Sequence, residues 1–146
     1  MIRRGLLAAM LALSLGAAAH AQVPKEGPFV EHRVVLQLSD NAQPKLHQVL
    51  NNARNLQTFF GAENIAVVVV AFGPGIEMLR DDSPEQDRVQ SMAVQGVVFQ
   101  VCQNTIDTWE MDNHRKFPIS PYVSRVPSGV AQILTLAEHG YTLIRP

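Results

Sequence analysis

The fold of this chain is decided by one uninterrupted apolar run, Ile65-Ala66-Val67-Val68-Val69-Val70-Ala71-Phe72. A strand that is apolar on both faces is typical of the middle of a parallel sheet, where helices cover both sides. The run is followed at once by Gly73-Pro74-Gly75, which predicts a turn at the carboxyl end of the strand. We therefore expect a parallel sheet with this run near its centre.

Strand patterns and helix patterns alternate on both sides of the central run. They predict one open parallel sheet sandwiched between helix layers, with right-handed crossovers: a three-layer α/β/α domain with a mainly parallel five-stranded sheet. The predicted strands span 33–39, 65–72, 97–101, 122–126 and 141–145. The predicted helices span 44–60 and 84–95, and the second has Ser83 as its N-cap and Pro84 as its first residue. One or two further helical turns cover 105–111, and a last helix is opened by Pro127-Ser128-Gly129 and ended by Gly140.

The amino terminus has the organisation of a secretory signal peptide. Arg3 and Arg4 precede an apolar stretch, and Ala19-His20-Ala21 has the small-x-small form of a signal-peptidase site. The stretch is shorter than the roughly 20 residues of a membrane span. We expect cleavage after Ala21, a periplasmic protein and no permanent membrane anchor. The predicted organisation is a signal peptide at 1–21, an N-terminal tether at 22–32 and the folded domain at 33–146.

The charge balance argues against nucleic acid as a partner. The chain has 12 basic and 13 acidic side chains, and loss of the signal peptide would remove two of the basic ones and none of the acidic ones. Binding to a phosphate backbone requires a basic cluster, and the sequence has none. It also lacks the Cys/His spacing of a zinc site and the glycine fingerprint of a nucleotide site.

Cys102 is the one cysteine of the chain and directly follows the third predicted strand. Ligands of parallel sheets bind beyond the carboxyl ends of the strands. The predicted helix start at Gln103-Asn104-Thr105 would direct N–H groups and positive partial charge toward the sulfur, which favours the reactive thiolate. The same position also suits a small buried apolar residue. An exported chain with a single cysteine has no internal disulfide, so chemistry and packing both stay open.

Six other residues are candidate ligand-binding residues because they follow predicted strands. Each has a second interpretation: glycine and proline form turns, and Asn, Thr and Asp cap helices. An amide and a hydroxyl next to Cys102 would also suit an anion held beside the sulfur. The candidates are Gly73, Pro74 and Gly75 after the second strand, Asn104 and Thr105 after Cys102, and Asp40 after the first strand.

His114 lies in the predicted loop that follows the cysteine. A histidine there could act as a base, or could bind a soft metal ion together with Cys102. A lone loop histidine is more often simply solvated, so its role stays open.

Five segments of the chain match one family pattern: 34–40, 50–52, 70–75, 96–105 and 126–130. The most specific of them ends in Val101-Cys102-Gln103-Asn104-Thr105, whereas the others mainly characterise the fold. On these segments the sequence resembles the DsrE/DsrF-like sulfur-relay family, in its small exported branch. The likeness covers nearly all of the chain that follows Ala21.

This resemblance implies a compact α/β/α domain, assembly into oligomers and a strand-end cysteine that carries sulfane sulfur as a persulfide. When the roles known for the family are transferred to this sequence, the resemblance implies that Cys102 is the sulfur carrier. It also implies that the partners are sulfur donor and acceptor proteins or small thiols, and that the chain forms a homo-oligomer. The carrier chemistry needs no metal or organic cofactor. The alternative is a non-catalytic ligand-binding or oligomeric interaction module of the same fold, in which Cys102 is buried and inert.

Overall fold

The structure is a computed structural model and describes residues 22–146. The predicted signal peptide, 1–21, lies outside the described residues. The strands are β1 (His32–Leu38), β2 (Ile65–Ala71), β3 (Val98–Cys102), β4 (Val123–Val126) and β5 (Thr142–Ile144). The α-helices are α1 (Gln43–Phe60), α2 (Gln86–Val94), α3 (Gln103–Asn113) and α4 (Gly129–Glu138), and a 3-10 helix (Gly73–Leu79) follows β2. None of the helices within 22–146 has the length and apolar character needed to cross a membrane.

The five strands pair in parallel in the order β4-β3-β2-β1-β5. From β1 to β4, each strand is added on the same side of the one before it. Right-handed crossovers therefore place α1, α2 and α3 on one face of the sheet. The chain returns in the opposite direction from β4 to β5, which places α4 on the other face. We call these the three-helix face and the α4 face. The predicted three-layer α/β/α fold is confirmed.

The three-helix face carries the larger apolar core. Leu36 of β1, Val69 of β2 and Phe99 of β3 are buried there against Leu50 of α1 and Met92 of α2. Side chains alternate along a strand, so a strand covered on both faces must be apolar at successive positions. The central run satisfies this requirement in β2, which contributes alternate valines to the two faces.

The α4 face has a smaller apolar cluster, in which Val68 and Val70 pack against Ile133 and Leu136 of α4. Residues 22–31 contact this face, beginning with the Gln22 carbonyl, which accepts a hydrogen bond from Gln132 of α4, and we call this segment the N-terminal strap. Its Glu26 forms an ion pair with Arg33 of β1 at 2.7 Å and accepts a hydrogen bond of 2.7 Å from the Tyr141 hydroxyl. The segment that the sequence predicts as a tether is therefore bonded to the folded domain.

The predicted start of α2 at a Ser83 cap is wrong. The helix begins at Gln86, and Ser83 and Pro84 form a turn before it, in which Ser83 Oγ accepts a hydrogen bond from the Glu85 amide. Glu85 is buried and its carboxylate lies 2.8 Å from His47 of α1. The contact with α1 therefore fixes the position at which α2 begins.

Helix α3 is longer than the predicted 105–111. It begins directly after Cys102, and it ends where His114 adopts the left-handed conformation, with φ of 51°. Ile106 is the one fully buried residue of α3, so the helix has little apolar periodicity from which its length could be predicted.

Candidate functional site

Cys102 is the last residue of β3 and the N-cap residue of α3. Neighbouring strand residues Phe99 and Val101 face the three-helix core, so Cys102 faces the opposite side. There it meets the start of α4, because a Cβ added to Gly129 would lie 3.3 Å from the Cys102 Cβ. The thiol is free, and the residue is 5% exposed. The amino terminus of α4 is therefore close to Cys102, which is itself the N-cap residue of α3.

The close approach of α4 to Cys102 depends on glycine at the first helical position. A Cβ on Gly129 would lie 3.0 Å from the Phe72 Cβ as well as 3.3 Å from the Cys102 Cβ. Ser128 caps the helix, since its hydroxyl accepts a hydrogen bond from the Ala131 amide. Ser128-Gly129 therefore both starts α4 and allows the helix to cover the thiol.

Four of the predicted ligand-binding residues come together at the carboxyl edge of the sheet. Gly73, Pro74, Asn104 and Thr105 line one cavity of about 480 Å³. The Thr105 hydroxyl accepts a hydrogen bond of 3.2 Å from the Gly73 amide, which ties the start of α3 to the end of β2. Cys102 lies outside the lining of this cavity, so the structure brings the four residues together without the sulfur.

The other two predicted residues have different surroundings. Gly75 is buried, and a Cβ at this position would collide with the backbone carbonyl of Leu38, so its small size serves packing. Asp40 accepts a hydrogen bond of 2.7 Å from the Ala42 amide in the turn before α1. It also lines a separate cavity of about 420 Å³ beyond the ends of β1 and β5, together with Lys45 and Arg145.

His114 and Cys102 lie at opposite ends of α3. The helix has 11 residues, and a rise of 1.5 Å per residue separates its ends by roughly 16 Å. This separation excludes one metal ion bound by both side chains. Within 22–146 no group of three or more His, Cys, Asp or Glu side chains is placed to hold a metal ion.

The model of the DsrE/DsrF-like family matches residues 32–146. The chain belongs to the DsrE/DsrF-like family. Its match begins at the first residue of β1 and includes Cys102 and the four residues that line the cavity.

Two solved structures are similar to this DsrE/DsrF-like chain. One is a protein of unknown function, MTH1491 from Methanobacterium thermoautotrophicum, at 31% identity and a TM-score of 0.72, with 80% of this chain and 100% of that chain covered. The other is the ychN protein from E. coli, at 13% identity and a TM-score of 0.63, with 79% and 99% covered, and it shares the fold alone. No curated protein sequence matches the chain.

The cavity of this DsrE/DsrF-like domain has an aromatic wall. Trp109 lines the cavity, and its indole N–H donates a hydrogen bond of 2.8 Å to Glu77. The guanidinium groups of Arg80 and Arg115 lie 5.6 and 5.1 Å from the centre of the indole ring, within the range of cation–π attraction. The hydrogen bond to Asp82, which has the larger effect, and the hydrogen bond to Glu77 raise the pKa of the Arg80 guanidinium. Trp109 is therefore held in position by Glu77, Arg80 and Arg115.

The α4 face holds a buried polar pair that the sequence patterns did not predict. Gln100 of β3 and Gln132 of α4 expose 2% and 0% of their surfaces, and the Gln132 amide donates to the Gln100 amide oxygen at 2.9 Å. Both amides donate to the backbone carbonyl of Gln22 in the N-terminal strap. A signal was present, because Gln100 interrupts an apolar strand two residues before Cys102.

Proposed function

We propose that this DsrE/DsrF-like protein carries sulfur as a persulfide on Cys102. One observation carries the proposal: the one cysteine of the chain ends a central strand and is also the N-cap of α3. The start of a helix stabilises an anion through its N–H groups and its dipole, and both thiolate and persulfide are anions. Membership of a family linked to sulfur relay supports the same chemistry.

The proposed transfer has two balanced steps. The Cys102 thiolate attacks the outer sulfur of a donor persulfide, the sulfur–sulfur bond of the donor breaks, and the donor leaves as a thiolate. An acceptor thiolate then attacks the terminal sulfur of the Cys102 persulfide and releases the Cys102 thiolate. The protein undergoes no net oxidation or reduction, so the cycle uses no metal or organic cofactor.

Donor and acceptor must reach a residue that is 5% exposed. The start of α4 at Gly129 covers Cys102, and the segment before it is held to the start of α3 by a long hydrogen bond of 3.4 Å from the Asn104 amide to the Pro127 carbonyl. We expect this segment to move during loading. In this proposal Asn104 and Thr105 receive the donor or acceptor thiol in the adjacent cavity.

We further propose that the protein works in the periplasm after cleavage at Ala21. The signal-like sequence of residues 1–21 supports this location. The sulfur donors and acceptors would then be exported proteins or small thiols. Production of the full chain in an exporting bacterium tests the location: we expect it in the periplasmic fraction, and recovery of an uncleaved chain from the cytoplasm would contradict it.

A homo-oligomer is also part of the proposal. Val130 and Leu134 lie one turn apart on α4 and are 64% and 61% exposed, although both are large apolar residues. Contact with a second copy would remove this surface from water. Analytical ultracentrifugation of the wild type and of Leu134→Glu tests it. We expect an oligomer that the substitution dissociates, and a monomeric wild type would contradict the proposal.

Mass spectrometry of the intact protein tests the persulfide. After incubation with inorganic polysulfide we expect the wild type to gain sulfur mass that a thiol reductant removes. Cys102→Ser, which changes one atom of the side chain, is the matched control and should gain none. An unchanged wild-type mass, or equal uptake by the variant, would contradict the proposal.

The burial of Cys102 favours a second candidate function, a non-catalytic ligand-binding module. In that case the thiol is only a packing residue, and the cavity beside Trp109 binds a ligand without reaction. Labelling with a charged alkylating reagent separates the two functions. A thiol that reacts in the folded protein supports the carrier, and a thiol that reacts only after unfolding in urea supports the module.

A further inference from the structure

The polar pair on the α4 face leaves one buried atom without a partner. The Gln132 Nε2 donates to the Gln100 Oε1 at 2.9 Å and to the Gln22 carbonyl at 2.6 Å, and the Gln100 Nε2 donates to the same carbonyl at 3.2 Å. The Gln132 Oε1 is buried and has no hydrogen-bond partner among residues 22–146. A buried acceptor without a donor lowers stability, so native proteins normally supply one.

The missing donor can come from the backbone nitrogen of Gln22. The Gln132 carboxamide already holds the Gln22 carbonyl through Nε2, and its Oε1 is attached to the same carbon as Nε2. The Gln22 nitrogen and the Gln22 carbonyl carbon are both bonded to the Gln22 Cα. The nitrogen therefore lies close to the carbonyl that the Gln132 amide already binds. With a residue before Gln22 this nitrogen has a single N–H in a planar peptide, whose direction is fixed.

Cleavage after Ala21 would change the chemistry of that nitrogen. It becomes a primary ammonium with three N–H donors that rotate freely about the bond to Cα, as the donors of a lysine do. A protein cleaved at an earlier residue keeps the peptide N–H of Gln22, whose direction is fixed. A protein cleaved at a later residue lacks the Gln22 carbonyl that both amides bind. The pair is therefore matched to one cleavage position.

We propose that Gln100 and Gln132 form a binding site for the processed amino terminus of the protein itself. The Gln132 Oε1 accepts a hydrogen bond from the Gln22 ammonium, while the two side-chain amides hold the Gln22 carbonyl. The N-terminal strap is then fixed at its first residue by this site and near its middle by Glu26, which binds Arg33 and Tyr141. The site is independent of any reaction of Cys102, but it rests on the proposed cleavage after Ala21.

Thermal unfolding of two forms that differ by one residue at the amino terminus tests the proposal. The first is the exported protein, whose mass should show Gln22 as the terminal residue, and the second is the same chain with one methionine retained before Gln22. We expect the form that begins with Gln22 to have a Tm higher by about 3–6 °C, the shift that one charge-assisted hydrogen bond gives in a domain of this size. Equal Tm values, or an exported protein that begins at another residue, would overturn the proposal.

Gln132→Met supplies the control, since it keeps the size of the side chain and removes the acceptor. Both forms should lose stability with this substitution, and the difference between them should disappear. A difference that persists in Gln132→Met would overturn the proposal, because the ammonium would then stabilise the fold without the Gln132 oxygen.

A second readout follows the chemistry of a free terminal glutamine. Such a residue cyclises when its amine attacks its own side-chain carboxamide and ammonia leaves, which mass spectrometry detects. An amine bound to Gln132 reacts slowly, so we expect cyclisation several-fold slower in the folded wild type than in Gln132→Met or in the urea-unfolded wild type. Equal rates in all three would overturn the proposal.

Discussion

The three-helix face and the α4 face of the sheet use the same five strands but are packed in different ways. On the three-helix face, apolar side chains from β1, β2 and β3 pack against three helices. The α4 face combines a smaller apolar cluster with the Gln100–Gln132 pair, the Glu26–Arg33 ion pair and the free thiol of Cys102. The first face therefore supplies most of the stability, and the second holds the thiol and the buried glutamine pair.

Matched leucine substitutions should give the largest effects on stability. Leu36 of β1 lies in the three-helix core and Leu136 of α4 in the smaller cluster, and neither is exposed. We expect Leu36→Ala to lower the free energy of unfolding by about 4 kcal/mol and Leu136→Ala by about 2–3 kcal/mol, since a site covered by one helix can relax around the cavity. Urea unfolding measures both. A larger loss for Leu136→Ala would reverse the assignment of stability to the two faces.

Two close-packed glycines at the carboxyl edge give the next comparison. A Cβ on Gly75 would meet the backbone carbonyl of Leu38, which cannot move aside, whereas a Cβ on Gly129 would meet the side chains of Phe72 and Cys102. We expect Gly75→Ala to cost about 3 kcal/mol and Gly129→Ala about 1 kcal/mol. Gly27→Ala is the control, since no atom lies within 4 Å of its added Cβ. Equal losses at Gly75 and Gly27 would show that the close approach is absent in solution.

Removal of one hydroxyl tests how firmly the N-terminal strap is held. The Tyr141 hydroxyl donates a hydrogen bond of 2.7 Å to Glu26, and Tyr141 is otherwise buried beneath the strap. Tyr141→Phe keeps the ring and should lower the free energy of unfolding by about 1 kcal/mol. Hydrogen exchange of the amides at 23–31 should become faster, while exchange in β2 changes little. Unchanged exchange in the strap would contradict the role given to this bond.

The smallest expected effect is a change in how the stability of the protein falls at acid pH. The hydrogen bond from Arg33 is the main cause that lowers the pKa of Glu26 below its ordinary value of 4.5, and the Tyr141 hydroxyl acts in the same direction against the opposing effect of burial. A carboxylate with a lowered pKa contributes stability that is present above the unfolded-state pKa and lost as the pH falls through the folded-state pKa. We therefore expect the wild type to lose stability below pH 4.5.

Glu26→Gln lacks the titrating group and should show a shallower loss over the same acid range. Thermal unfolding of both proteins from neutral to acid pH measures the difference. Parallel profiles would mean that Glu26 is not coupled to folding.

Most of the fold could be predicted because it depends on local patterns. The apolar run of β2, the periodicity of α1 and the Ser128 cap of α4 are each visible within a few residues. The start of α2 could not be predicted in this way, because the contact between His47 and Glu85 joins residues 38 positions apart. Local capping preferences gave the wrong start where a tertiary contact was stronger.

The candidate site was predictable to the extent that it follows from topology. Parallel strands end at one edge, so Gly73, Pro74, Asn104 and Thr105 could be expected to meet. The direction of the Cys102 side chain and its cover by Gly129 depend on the return of the chain from β4 to β5, which places α4 on the opposite face. The Gln100–Gln132 pair depends on the same crossover: the sequence shows a polar residue within β3, but no local pattern identifies its partner on α4.

The central claim is that Cys102 in the folded protein accepts a sulfur atom and passes it on. The most direct measurement is a complete cycle followed by intact mass: loading with polysulfide, removal of the excess, and addition of a small acceptor thiol. We predict that the folded wild type gains one sulfur, returns to its starting mass when the thiol is added, and leaves the acceptor as a persulfide. A folded chain that stays unmodified, while the urea-unfolded chain gains sulfur, would contradict the account and identify Cys102 as a packing residue.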